Sequence, residues 1–185
     1  KSKILVRSSS NVYNQSLISA MVIKYGEEKV KKFLKGFISN FARKPSGGDR
    51  DQIRAVAAGE GDLALVNSYY FLKMKSQDNE KKLDDVIEYF PKDDFMQTHI
   101  NISGAGIIKN SKNKENAIKF LEFLVSNEAQ KIYAEINYEY PIRKNIELSD
   151  FMEKYNNFIK DDINLSEIAE LNKKSIMLMD IVGWQ

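Results

Sequence analysis

The sequence predicts an α/β fold in which helices flank a sheet, and three observations support this class. Short apolar runs alternate with segments whose apolar residues recur at helical spacing. Two of these runs, at 4–6 and 62–66, are each followed by a polar turn and then by a helical pattern. The chain has 185 residues, 43% of them apolar, which is enough to fill a core.

The amino-terminal half begins with the first of these strand, turn and helix units. Its strand at 4–6 stops at the polar residues 7–11. The helix that follows is predicted from apolar residues at helical spacing: Leu17, Ile18, Met21 and Val22. A second helix is predicted over 27–41, and Asp49 is predicted to cap a third helix, which ends at the glycines of 59–61.

The second unit consists of a buried strand at 62–66 and the helix that follows it. Asn67 and Ser68 are residues that favour the start of a helix. The helix is therefore predicted to begin there and to carry Tyr69 and Tyr70 in its first turn.

The remainder is predicted to be mostly helical, apart from strands at 86–90 and 99–103. Consecutive helices are predicted over 116–125 and 127–136, and a last helix begins at about residue 166. The first of these three has apolar residues that are predicted to face inward: Ala117, Phe120, Leu121 and Leu124.

Composition excludes several classes of function. The chain has 28 Lys and Arg residues and 26 Asp and Glu residues, and positive and negative charges are mixed along the sequence. No nucleic-acid partner is therefore expected. There is no cysteine, which excludes thiolate chemistry, disulfides and iron–sulfur clusters. No serine has a recognisable base to activate it, so a small hydrolase is disfavoured and the protein is not expected to be an enzyme.

The chain has one histidine and one tryptophan. His99 is expected to be a hydrogen-bonded structural residue and not a metal ligand. Trp184, almost at the end of the sequence, is expected to be a packing anchor.

Three tyrosines stand at the turns that follow the two predicted strands. Tyr13 on one side, and Tyr69 with Tyr70 on the other, would lie in the first turn of a helix, where backbone N–H groups and the helix dipole favour an anion. The carboxyl ends of strands are also where such folds bind ligands. Ferric ion is a hard cation that prefers anionic oxygen and can displace a phenolic proton. The three tyrosines are therefore predicted to hold Fe(III) as phenolates.

The surroundings of these tyrosines leave alternatives open. Lys73, one turn further along the same helix, is predicted to place a cation beside the phenolates. In another interpretation the tyrosines simply bridge core and surface, as most tyrosines do. In a third, they stack on or hydrogen-bond to an organic anion or a polyamine.

Six motifs in this order resemble the ferric-iron-binding periplasmic proteins of ABC transporters, and most of all their cyanobacterial-type branch. The resemblance covers nearly the whole chain. The motifs are RSSSNVYNQ at 7–15, NFAR at 40–43, AVAAGE at 55–60, ALVNSYY at 64–70, THINISGAG at 98–106 and NKENAIKFLEFL at 113–124.

This resemblance implies a type II periplasmic binding protein, whose two lobes close over Fe(III) and deliver it to an ABC permease in the inner membrane. Tyr13, Tyr69 and Tyr70 fall where that branch keeps three iron ligands, and Lys73 falls where close relatives often have arginine. A tyrosine at position 13 implies that no synergistic anion is obligatory. The protein is expected in the periplasm, with its signal peptide not in this chain.

The resemblance also implies how the lobes are divided. Residues 1–97 and 150–185 would form the tyrosine-bearing carboxyl-terminal lobe, and 98–149 would cross back to an amino-terminal lobe. In the family a further segment precedes the motif at 7–15 and builds most of that second lobe, so the lobe is expected to be incomplete here. The crossing segment should then expose apolar surface, which favours self-association.

Overall fold

The computed structural model describes residues 3–78, 82–92 and 96–185. The chain forms two compact units. The larger unit contains Lys1–Asn101 and Ile159–Gln185, and the smaller unit is Ile102–Phe158. The predicted boundaries at 97 and 150 fall four and nine residues from these divisions, and the assignment of each part to a lobe of a larger protein stays a prediction.

The larger unit contains a small parallel sheet, so the predicted α/β class is confirmed. Strand β1 (Ile4–Leu5) pairs with strand β2 (Leu63–Ala64), with Ile4 opposite Leu63. The second strand is shorter than the predicted 62–66. It is also not fully buried, because the Leu63 side chain is 56% exposed.

Two predicted strands, at 86–90 and 99–103, are wrong. In the described residues that region makes only isolated bridges, between Lys92 and Gln97 and between Thr98 and Lys160. Apolar residues in both segments favour an extended backbone, but a strand also needs a neighbour along its whole length. Neither segment has such a neighbour among the residues that the structure describes, so each is irregular there.

Three helices pack against one another and supply most of the core of the larger unit. They are helix α1 (Val12–Tyr25), helix α2 (Glu27–Ile38) and the last helix of the chain, α8 (Leu165–Val182). Gly26 joins α1 to α2. Its φ is 78°, a left-handed backbone angle that residues with a side chain rarely adopt. The buried core residues are Val6, Ile18, Met21, Val22, Val30, Leu34, Leu178, Met179 and Trp184.

Helix α2 ends three residues before the predicted end at residue 41. The chain leaves the helix there because its backbone pairs with the sheet. Ile4 N donates to Asn40 O at 2.8 Å, and Ala42 N donates to Ile4 O at 2.8 Å. Hydrogen bonds to β1 thus replace the last turn of the helix.

Two shorter helices complete the frame around the sheet. Helix α3 is Asp49–Ala57 and helix α4 is Ser68–Ser76. The prediction that Asp49 caps α3 is wrong by one residue. Gly48 occupies the cap position, and its N–H donates to Asp51 Oδ2 at 2.8 Å. The Asp49 side chain, one residue inside the helix, bonds to Arg7 and Asn67 instead.

The smaller unit is helical. Helix α5 is Lys114–Leu124, helix α6 is Asn127–Ile132, and α6 runs on into a π-helical turn at Tyr133–Asn137. Helix α7 is Asp150–Glu153. The buried apolar residues of this unit include Ala129, Ala134 and Met152.

The prediction that α5 faces inward is wrong. None of its residues is buried, and the Phe120 side chain is 58% exposed. Amphipathic spacing shows that one side of a helix is apolar, but not that anything covers that side. The smaller unit therefore carries an apolar surface, which includes Ile118, Phe120, Phe123, Val125, Ile132 and Ile136.

None of the helices in the described residues combines the length and the apolar character that a bilayer crossing requires.

Candidate metal centre

The turn between β1 and α1 holds Tyr13 at the predicted place, as the second residue of the helix. Asn11 caps the helix by accepting a hydrogen bond from Asn14 N at 3.1 Å. Asn14 Nδ2 in turn donates to the backbone oxygens of Arg7 and Ser8, each at 3.2 Å. Side chains of the helix thus hold the turn that precedes it.

The turn between β2 and α4 places Tyr69 and Tyr70 in the same way. Asn67 occupies the cap position, and Tyr70 N donates to Asn67 O at 3.2 Å. The Asn67 side chain does not cap its own helix. Its Oδ1 accepts a bond from Asn101 Nδ2 at 3.2 Å, so the turn is tied to a residue distant in sequence.

The three tyrosines come together as the sequence predicts. Tyr13 Oη lies 3.3 Å from Tyr69 Oη, although 56 positions separate the residues. The Tyr69 and Tyr70 rings have centroids 4.2 Å apart and planes inclined by 33°. For metal–oxygen bonds of about 2.1 Å, neighbouring ligands of an octahedral ion lie about 3 Å apart. The two hydroxyls therefore already have a separation that suits two ligands of one ion.

Electrostatics keeps the Tyr69 phenol protonated when no metal is bound. Burial raises the pKa of the Tyr69 phenol, and its interactions with Tyr13 and Tyr70 raise that pKa further. Two phenolates at this distance would repel each other, which opposes ionisation of more than one phenol without a cation. A cation that displaces the protons removes this repulsion. The cluster is therefore better suited to binding a metal ion than to holding phenolates without one.

Two charged residues of α3 belong to the site and were missed by the sequence prediction. Asp49, only 3% exposed, accepts a hydrogen bond from Arg7 Nη1 at 2.7 Å and one from Asn67 N at 3.0 Å. The Arg50 guanidinium lies over the Tyr70 ring, 5.5 Å from its centroid. The only signal in the sequence was the position of Asp49 at a helix start, which indicates a cap as readily as it indicates a site residue.

Lys73, the predicted cation beside the phenolates, lies in α4 and is half-buried. Its backbone oxygen accepts a bond from Ser76 Oγ at 2.9 Å. A role for its ammonium group next to the tyrosines stays a prediction. Within the tyrosine cluster, the structure places the Arg50 guanidinium on the Tyr70 ring.

His99 is bonded within the fold, as expected. Its Nε2 lies 2.9 Å from Ser16 Oγ, and burial lowers its pKa. Across the described ranges 3–78, 82–92 and 96–185, no three His, Asp or Glu side chains cluster in a way that could hold a metal. The tyrosine cluster is thus the metal-site candidate that the geometry offers.

Parallel strands whose carboxyl-terminal turns gather polar side chains define the class as an α/β ligand-binding protein. Residues 18–131 match the family of bacterial extracellular solute-binding proteins. The chain belongs to that family.

The similar curated proteins include two from Synechocystis. Iron uptake protein A1 is 40% identical over the whole chain, and iron uptake protein A2 is 42% identical. The major ferric iron-binding protein of Neisseria meningitidis is 29% identical over 79% of the chain. The chain spans about half the length of these relatives: 52%, 55% and 43%.

Solved structures agree with the sequence relatives. A Trichodesmium IdiA/FutA structure in complex with iron and citrate ligands matches 99% of the chain with a TM-score of 0.91 and 47% identity. The apo ferric ion-binding protein A of Pasteurella haemolytica matches 98% of the chain with a TM-score of 0.93 and 44% identity. The chain covers 59% and 57% of those proteins. The predicted type II periplasmic binding protein fold is confirmed.

Proposed function

We propose that this chain is the ferric-ion-binding part of an ABC iron-uptake transporter and that Tyr13, Tyr69 and Tyr70 supply phenolate ligands. The observation that carries the proposal is the 3.3 Å approach of Tyr13 Oη to Tyr69 Oη, with the Tyr70 ring next to that of Tyr69. Two hydroxyls from turns 56 residues apart meet at the point where α/β folds bind ligands.

The chemistry of the cluster favours Fe(III) over softer or less charged ions. Three phenolates carry three negative charges, which match the charge of the ferric ion and favour it over the ferrous state. No soft thiolate is available, because the chain has no cysteine. The ion is cargo in this proposal, and the protein is not an enzyme.

The relatives support the proposal through what their names state: iron uptake in Synechocystis, and ferric-ion binding in Neisseria. The family consists of extracellular solute-binding proteins. On this basis the protein works in the periplasm and delivers its ion to a permease in the inner membrane.

The site is proposed to need no synergistic anion, because Tyr13 adds a third anionic ligand. The Trichodesmium structure contains citrate together with iron, so the requirement has to be measured. A titration with ferric citrate should be repeated with a weakly coordinating ferric donor. Equal affinity from both donors is the expected result, and binding only in the presence of citrate would contradict this part of the proposal.

The test of the site itself is the visible phenolate-to-iron charge-transfer band during a ferric titration. We expect Tyr69→Phe to lower the affinity by more than about tenfold, since even an outer residue of a metal site costs about 10–100-fold. Tyr89→Phe is the matched control, because the Tyr89 side chain is 70% exposed. It should leave the band and the affinity unchanged.

Acid should weaken binding, because each phenol loses its proton to bind the ion. Three phenols release up to about three protons per ion, so affinity should fall steeply as pH falls. Absence of the band in the wild-type chain would contradict the proposal. Thermal stabilisation by an organic anion or polyamine, with none by ferric ion, would instead support the alternative cargo.

A further inference from the structure

Asp49 lies between the two turns that carry the tyrosines, and its two carboxylate oxygens point to different turns. Oδ2 accepts a bond from Arg7 Nη1 at 2.7 Å, and Arg7 belongs to the turn before Tyr13. Oδ1 accepts bonds from Asn67 N at 3.0 Å and Asn67 Nδ2 at 3.4 Å, and Asn67 caps the helix of Tyr69 and Tyr70. One side chain thus connects both halves of the tyrosine cluster.

The connection is buried, which distinguishes it from an ordinary surface ion pair. The Asp49 side chain is 2% exposed and the Arg7 side chain 28%. Exposed pairs are screened by water and hold neighbouring segments weakly. A carboxylate removed from water keeps its bonds in one geometry, since breaking the bond to Arg7 would leave a buried charge without its counter-ion, and breaking those to Asn67 would leave a buried oxygen without a donor.

Both ends of the connection are themselves fixed. Arg7 O accepts a bond from Trp184 Nε1 at 3.0 Å and one from Asn14 Nδ2 at 3.2 Å, so Arg7 cannot move independently of α1. Asn67 holds Asn101 through its Oδ1. A shift of either turn would therefore change the separation between Tyr13 and Tyr69.

We infer that Asp49 is a positioning residue, which sets the spacing of the Tyr13 and Tyr69 hydroxyls before any ligand arrives. Its hydrogen bonds in the described structure go to Arg7 and Asn67, and it acts through them. A preset spacing lowers the cost of ordering the ligands when the ion binds. The consequence for affinity rests on the proposed function, whereas the spacing itself can be measured without metal.

The first arm of the test is metal-free. The chain is labelled with isotope-enriched tyrosine, and the signals of Tyr13 and Tyr69 are assigned by their Phe variants. Asp49→Ala should shift both signals. Gln52→Ala is the matched control, because Gln52 is a buried polar residue of the same helix that bonds to Ser46 O and Gly48 O and not to the tyrosine turns. It should leave both signals in place even where it lowers Tm.

The second arm measures ferric affinity from the charge-transfer band. Asp49→Ala should weaken binding by about 10–100-fold, the usual effect of losing a group that orients metal ligands. Asp49→Asn retains an acceptor for Asn67 but no charge for Arg7, so it should have an intermediate effect in both arms. Gln52→Ala should bind ferric ion as the wild type does.

The outcomes separate the two proposals. Unshifted tyrosine signals in Asp49→Ala, or shifts no larger than those of Gln52→Ala, would overturn the positioning role. If the wild-type chain forms no ferric complex, the proposed function fails, and the metal-free arm alone still decides whether Asp49 sets the spacing. If Asp49→Ala unfolds, Asp49→Asn decides both arms in its place.

Discussion

The helices of the larger unit and helix α5 of the smaller unit have similar apolar spacing but opposite environments. In α1, Ile18, Met21 and Val22 are buried in the core. In α5, Phe120 and Phe123 are exposed at the same kind of position. The difference teaches that periodicity predicts where a helix forms and which side is apolar, while burial depends on what packs against that side.

Replacement of Trp184 should have the largest effect on the stability of the larger unit. The indole is 1% exposed, packs against Phe37 and Phe41, and donates to Arg7 O. Trp184→Ala removes the largest fully buried side chain and should lower the free energy of unfolding by about 3–5 kcal/mol. Chemical denaturation measures this.

Trp184→Phe is the control, since it keeps most of the volume and loses the hydrogen bond, and it should cost much less. Equal losses in the two variants would mean that the hydrogen bond, and not the packing, holds the carboxyl-terminal end.

Glu88 is a carboxyl group of the larger unit with a buried oxygen that lacks a hydrogen bond in the described structure. Burial raises the pKa of Glu88 to about 8, and its Oε2 has no hydrogen-bond partner in the described structure. The folded state therefore holds a proton that the unfolded chain releases above its ordinary pKa of 4.5. The stability contribution is complete below that value and is lost as pH rises towards about 8.

Glu88→Met should remove this pH dependence and stabilise the protein at mildly alkaline pH by about 1–3 kcal/mol, the cost of an unsatisfied buried polar group. Glu88→Gln should also remove the pH dependence but stabilise less, because a polar group remains. Thermal melts across this pH range measure both, and a wild-type melting curve insensitive to pH would contradict the prediction.

The smallest effect on stability is expected in the smaller unit. Phe120 is 58% exposed, so Phe120→Ser should change the free energy of unfolding by no more than about 0.5 kcal/mol. It should also weaken any self-association of the chain, measured by sedimentation, because it removes part of an apolar surface.

Phe71→Ser is the matched change in the larger unit, where the ring is 3% exposed, and it should be strongly destabilising. Similar effects of the two substitutions would show that the Phe120 side chain is covered in solution.

The sequence predicts the tyrosine cluster better than it predicts the residues around it. A strand followed by a capped helix places Tyr13 and Tyr69 at one edge of a parallel sheet, and this rule depends on local signals alone. Asp49 reaches Arg7 and Asn67 in the two turns, and Arg50 reaches the Tyr70 ring, only because α3 packs beside both turns. Such a contact between three distant segments leaves no local pattern.

The wrong strands at 86–90 and 99–103 have a related cause. Their apolar residues satisfy the local requirement for an extended backbone, but pairing depends on a partner elsewhere in the chain. The early end of α2 is similar, since Ile4 draws residues 40–42 into sheet hydrogen bonds. Local patterns can predict an element, and distant segments decide its extent.

The single tryptophan gives the molecule a built-in optical probe. Trp184 is fixed to Arg7 through its indole nitrogen, and the chain contains no second indole to obscure its emission. Its fluorescence should therefore respond to changes at the turn that leads to Tyr13. Ligand entry and release can then be followed in real time in the unmodified protein, without a dye or a fused reporter.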